Sequence, residues 1–147
     1  MKTSRTMLSV ALAFVAVACG PAEGETLDAF QMSAGDCFDD VALGTEEVAD
    51  VPAVPCAQPH DNEVFATFDV TDGAFPGDER LYEMADQGCL DRFQGAIGAP
   101  YEQSVLVFTT LIPSERSWNE RNDREVVCVA YHMQLEKLTG SVLASGM

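Results

Sequence analysis

The sequence predicts an α+β domain in which a mainly antiparallel sheet of about five to six short strands carries one main amphipathic helix and two disulfides. Three observations support that class. Short extended segments stand on both sides of one long stretch in which apolar residues recur at intervals of three and four. Four cysteines, Cys37, Cys56, Cys89 and Cys128, remain once Cys19 near the N-terminus is set apart. A chain of 147 residues with 47% apolar content has room for one domain and enough apolar side chains for a core.

At the N-terminus Lys2 and Arg5 precede an apolar run of 12 residues, Met7 to Ala18, which ends in small residues before Cys19. This is the layout of a secretory signal, and it falls short of the roughly 20 residues that span a bilayer. Ala16-Val17-Ala18-Cys19 resembles a bacterial lipobox, which implies cleavage before Cys19 and acylation of that residue. The alternative is an ordinary secretory signal cleaved nearby. Two or more acyl chains give stable anchoring. The expected organisation is therefore a lipoprotein signal peptide over residues 1–18, a flexible tether over 19–32 rich in Gly, Pro and acids, and a folded domain over 33–147. Such a protein sits on the extracytoplasmic face of the cell membrane without crossing it.

From Ser33 to Asp40 a turn leads into a short strand; Leu43 to Asp50 is an acidic loop, and Val51 to Cys56 is a second extended piece whose Pro52 and Pro55 suit an edge. Glu63 to Val70 alternates, with Val64, Ala66, Phe68 and Val70 on one face and only Phe65 out of pattern. A turn over 71–77 precedes the helix, Asp78 to Ile97, whose apolar stripe includes Leu81, Met84, Ala85, Cys89, Phe93, Ala96 and Ile97. Asp78 and Glu79 suit its positive end, and Gly98 and Pro100 stop it. Ser104 to Ile112 and Glu125 to His132 are apolar on both faces, the pattern of central strands. A turn around Lys137 and a short edge strand, Leu138 to Ala144, complete the order.

Four cysteines allow three pairings. Cys37 with Cys56 and Cys89 with Cys128 join segments expected to be neighbours, the second pair pinning the helix to the strand that carries Val126, Cys128 and Ala130 on one face. The two closures are worth roughly 3 and 4 kcal/mol on the loop-entropy model.

The chain carries eight basic and 24 acidic residues, net −16. Loss of Lys2 and Arg5 with the signal leaves six basic residues against the same 24, net −18. That field repels phosphate backbones, so nucleic acid is not an expected partner; it favours cations or basic partners, but reads first as a solvated surface that keeps an exported protein soluble. Glycine-rich phosphate loops and G-x-S-x-G are missing, and no cofactor is expected.

Gly35-Asp36-Cys37-Phe38, Val54-Pro55-Cys56, Pro59-His60-Asp61-Asn62-Glu63-Val64, Phe75-Pro76-Gly77, Gly88-Cys89, Pro113-Ser114-Glu115-Arg116-Ser117-Trp118, Asp123-Arg124-Glu125-Val126-Val127-Cys128 and Leu138-Thr139-Gly140-Ser141 occur in that order. Together they resemble the septum formation domain family over about Ser33 to Gly146. The resemblance implies an exported or membrane-attached envelope protein of actinobacterial type, linked to septum formation, with no established catalytic activity. Asn122 departs from the family's Gly, though Asn also tolerates positive φ.

His60, Asp61 and Glu63 lie within four residues and are the candidates for acid/base or metal chemistry. Their spacing fits no zinc template, and paired cysteines offer no thiolate, so a hydrogen-bonded joint leading into the strand is the competing expectation. Asp36, Asp39, Asp40, Glu46, Glu47 and Asp50 lack the calcium-loop pattern and read as a solvated surface. Trp118, with Asp123 and Arg124, is either an interface anchor or a cap on the core in which the charged pair holds a turn. The expected function is a lipid-anchored, non-enzymatic module that binds another envelope component, with the Trp118 loop and the His60 region as its surface. The alternative is a hydrolase or metal-dependent enzyme using His60, Asp61 and Glu63.

Overall fold

The computed structural model describes residues 25–40, 50–70 and 73–147. In chain order the elements are β1 (Thr26–Asp28), β2 (Cys37–Phe38), β3 (Asp50–Pro52), β4 (Asn62–Asp69), α1 (Asp78–Ile97), β5 (Leu106–Leu111), α2 (Glu115–Arg121) and β6 (Glu125–His132), with a 3-10 turn at Tyr101–Gln103. β2, β4, β6 and β5 form an antiparallel sheet in that order, and β1 pairs with β3 in a separate two-stranded ribbon. The α+β class and both disulfides are as the sequence predicts. Cys37–Cys56 and Cys89–Cys128 have Cα separations of 5.3 and 5.6 Å.

Helix α1 follows directly from its sequence. Leu81, Ala85, Cys89, Phe93 and Ile97 are spaced four apart and all buried, so one stripe meets the sheet. Gly77 precedes it, and Gly98 ends it in the left-handed conformation at φ 91°, its N–H donating to the Gln94 carbonyl. Against this stripe pack Val126, Cys128 and Ala130 of β6. Val127 and Val129, alternating with them, face the other way and meet Phe38, Met32, Val51 and Val64 in a second cluster.

The strand β4 serves both clusters because of a bulge. Its register against β6 shifts between Val64 and Ala66. Val64 therefore joins the second cluster, while Phe65, Ala66 and Phe68 all pack with the first. Phe65, out of pattern in the alternation, marks the place.

Four expectations need correcting. The tether ends earlier than residue 32: β1 is paired, and Met32 is 2% exposed because the sheet offers it an apolar face. β5 is an edge strand; its apolar outer residues are covered only in part. Leu138 to Ala144 makes a single bridge, from Leu138 to His60, and otherwise runs as an irregular segment over the end of α1, where the Ala144 and Gly146 N–H groups donate to the Ala96 and Ile97 carbonyls. Trp118 sits in a helix, α2, and not in a loop. Cys19 and the signal segment, and Glu46 and Glu47 of the acidic loop, lie outside the described residues. Among the described residues no helix is long and apolar enough to cross a membrane.

Candidate functional site

The stretch from Cys56 to Glu63 is tied at four points to the segment that follows Lys137. His60 and Leu138 exchange two backbone hydrogen bonds, of 3.0 and 2.8 Å, and the Gly140 N–H donates to the Cys56 carbonyl at 2.6 Å. The Glu63 carboxylate accepts from the Ser141 hydroxyl at 2.5 Å and from the Val142 N–H at 2.6 Å. Val142 is thereby seated in the core beside α1. A carboxylate without solvent needs such donors, and both oxygens have one.

His60 is equally enclosed: it and Glu63 are 0% exposed. Its Nδ1 lies 2.8 Å from the Gln58 carbonyl, so that nitrogen carries a proton and donates. Nε2 has no hydrogen-bond partner among the described residues. The Cys37 sulfur, a His60 ring nitrogen and a Glu63 oxygen lie within 4.8 Å of one another, which is ligand-like clustering. The chemistry does not follow the geometry, because the Cys37 sulfur is spent in a disulfide and both Glu63 oxygens are engaged.

Asp61 turns away from this cluster. Its carboxylate accepts from the Asp40 N–H at 3.0 Å and pairs with Lys137 at 2.8 Å, while Lys137 also reaches Asp39 at 2.7 Å. Burial pushes the Asp61 carboxyl up, but the Lys137 hydrogen bond and charge, with the hydrogen bond donated by the Asp40 N–H, hold it below its usual value. Lys137 is raised by the same two carboxylates, Asp39 first. His60, Asp61 and Glu63 thus do not converge on one open pocket. Lys137 and Ser141, which complete these contacts, could not be matched to their partners from the sequence because those partners lie far away along the chain.

Trp118, 2% exposed, is a core residue. Its Nε1 donates to the Gly73 carbonyl at 3.1 Å, Phe75 meets its ring edge-on at 5.7 Å, and the Arg124 guanidinium lies 3.8 Å over it. Ser114 caps α2 by accepting from the Ser117 N–H, and Asn122 ends it at φ 54°, so Asn supplies the left-handed residue. Asp123 accepts from the Ser117 hydroxyl and the Glu125 N–H; Arg124 donates to the Trp118 and Asp123 carbonyls. Both hold the turn into β6. Glu125 itself is raised, by burial first and then by repulsion from Asp69 and Asp123 beyond what the Thr67 bond offsets.

Fold and site together define a disulfide-stapled α+β domain whose polar signature residues form internal joints. A family model described as "Septum formation" matches residues 34–145, and the chain belongs to that family. Neither a curated protein nor a solved structure matches it.

Proposed function

We propose that the chain is a lipid-anchored, non-enzymatic binding domain on the extracytoplasmic face of the cell membrane, where its role in septum formation is to hold another envelope protein. The observation that carries this reading is the commitment of His60 and Glu63, the residues best suited to acid/base or metal chemistry, to a buried joint that seats the C-terminal segment. The signal-like N-terminus and Cys19 support the address. Burial of Trp118 removes it as a contact residue, so the binding surface lies elsewhere.

The test is complementation of a depletion strain scored for septa, with mass spectrometry of the mature N-terminus. Wild type and Asp61→Asn are expected to restore septation, and the mature chain is expected to start at an acylated Cys19. A folded Asp61→Asn protein that fails to restore septa would favour the enzyme alternative, and an unacylated N-terminus would remove the anchor.

A further inference from the structure

We propose that the open edge of β5 receives an extended segment of a partner protein as an added strand, uncharged where it pairs and basic at its ends. The inference rests on the reading of the chain as a binding domain and names the surface that binds.

Among the described residues β5 is paired with β6 along one side only. The Met133 N–H donates to the Val105 carbonyl at 3.0 Å, and antiparallel alternation then turns the backbone groups of Val107, Thr109 and Leu111 toward β6 and those of Leu106, Phe108 and Thr110 outward. The Leu106 N–H is taken by the Ser104 hydroxyl at 3.0 Å. Among the described residues nothing hydrogen-bonds the outward backbone groups of Phe108 and Thr110. A peptide strand is the ligand that such a ladder fits.

Exposed edges are normally guarded by charge, proline, a bulge or shortness. β2, the opposite edge, is two residues long. β5 has six residues, and from Ser104 to Ser114 no side chain is charged, with Pro113 beyond the strand. On the face away from α1, Val105 and Leu111 are 41% and 38% exposed, with Thr109 exposed between them. Beside them runs a groove of about 540 Å³, lined by Phe30, Thr109, Leu111, Val127 and Val129, which offers alternate side chains of an added strand a place to go.

Charge selects the occupant. Glu102 and Glu115 bracket the strand, and the Asp86 carboxylate stands 3.4 Å from the Thr110 hydroxyl; all three acids are exposed. A second copy pairing antiparallel would bring the Glu102 end of each strand against the Glu115 end of the other, in chains that each carry −16. A segment with basic ends is drawn to the same carboxylates.

The probe is the peptide Lys-Lys-Thr-Val-Thr-Val-Thr-Lys-Lys, titrated into isotope-labelled full-length protein and followed by amide shifts and hydrogen exchange. The Phe108 and Thr110 amides are expected to shift and slow their exchange by about tenfold or more, while a Glu-ended peptide binds at least about tenfold more weakly. Thr110→Pro, which removes an outward N–H and no bond to β6, should abolish pairing; if it does not fold, Thr109→Lys, which places a charge beside the groove, decides. Unchanged binding to the deciding variant, protection elsewhere on the surface, or dimerisation of the free chain through β5 would overturn the proposal. Pairing in vitro, together with normal septa in a Thr110→Pro strain, would sink the septal reading and leave the edge assignment standing.

Discussion

The Glu63 carboxylate accepts the Val142 N–H at 2.6 Å across a sequence separation of 79, and this contact joins the start of the central sheet to the tail that covers the end of α1. Glu63→Ala would leave the buried Val142 N–H without an acceptor and would take from the exposed Ser141 hydroxyl the acceptor of its proton, while its oxygen still accepts from the Leu143 N–H. A loss of about 2–4 kcal/mol is expected, with Glu63→Gln intermediate because its amide oxygen still accepts. Urea unfolding at neutral pH measures both. A loss below about 1 kcal/mol in the alanine variant would show that the joint is not structural.

Trp118→Ala should act through the core and not through a lost contact surface. Removing a buried indole with a satisfied Nε1 is expected to destabilise by about 3–5 kcal/mol. Recovery of partners from membranes should fall only as far as the folded fraction falls. A stable, folded Trp118→Ala protein that has lost a partner would return Trp118 to the interface.

Gly88 lies in α1 where a Cβ would come within 2.2 Å of the Phe68 ring. Gly→Ala inside a helix normally gains up to about 1 kcal/mol. Here the ring must move, and it is also covered by Arg92 at 4.1 Å. Gly88→Ala is therefore expected to destabilise the wild type and to stabilise a Phe68→Ala background. Additive effects in this double-mutant cycle would contradict the packing argument.

Opposite pH dependences are expected from Asp61 and Glu125. The Asp61 carboxyl is lowered in the fold, so its contribution is present above its unfolded pKa and is lost as pH falls through the lower folded value. Lys137 is raised, so its contribution is present below its unfolded pKa and is lost as pH rises through the folded value. Lys137→Met should flatten both ends, by no more than about 1 kcal/mol because the group is well exposed and screened. Glu125 is raised, so its protonation favours the fold; Glu125→Gln should stabilise at neutral pH, with the gain vanishing in acid. Urea midpoints from acid to alkaline pH decide the signs.

By itself the sequence determined the α+β class, the bounds of α1 and the central place of β6, and it narrowed the disulfides to three pairings, of which the favoured one is found. Each of these is written in local periodicity or in a short set of pairings. α2 was missed because seven mostly polar residues give too little period, although Ser114 with Ser117, and Arg116 with Glu120 four residues on, were its signals. The tertiary structure alone decided that β5 has an open edge, because a strand apolar on both faces reads the same whether or not a neighbour lies beyond it. It also decided that His60 and Glu63 are enclosed while Asp61 is not. That depends on Leu138, Ser141 and Val142, whose approach is a long-range contact no local pattern encodes.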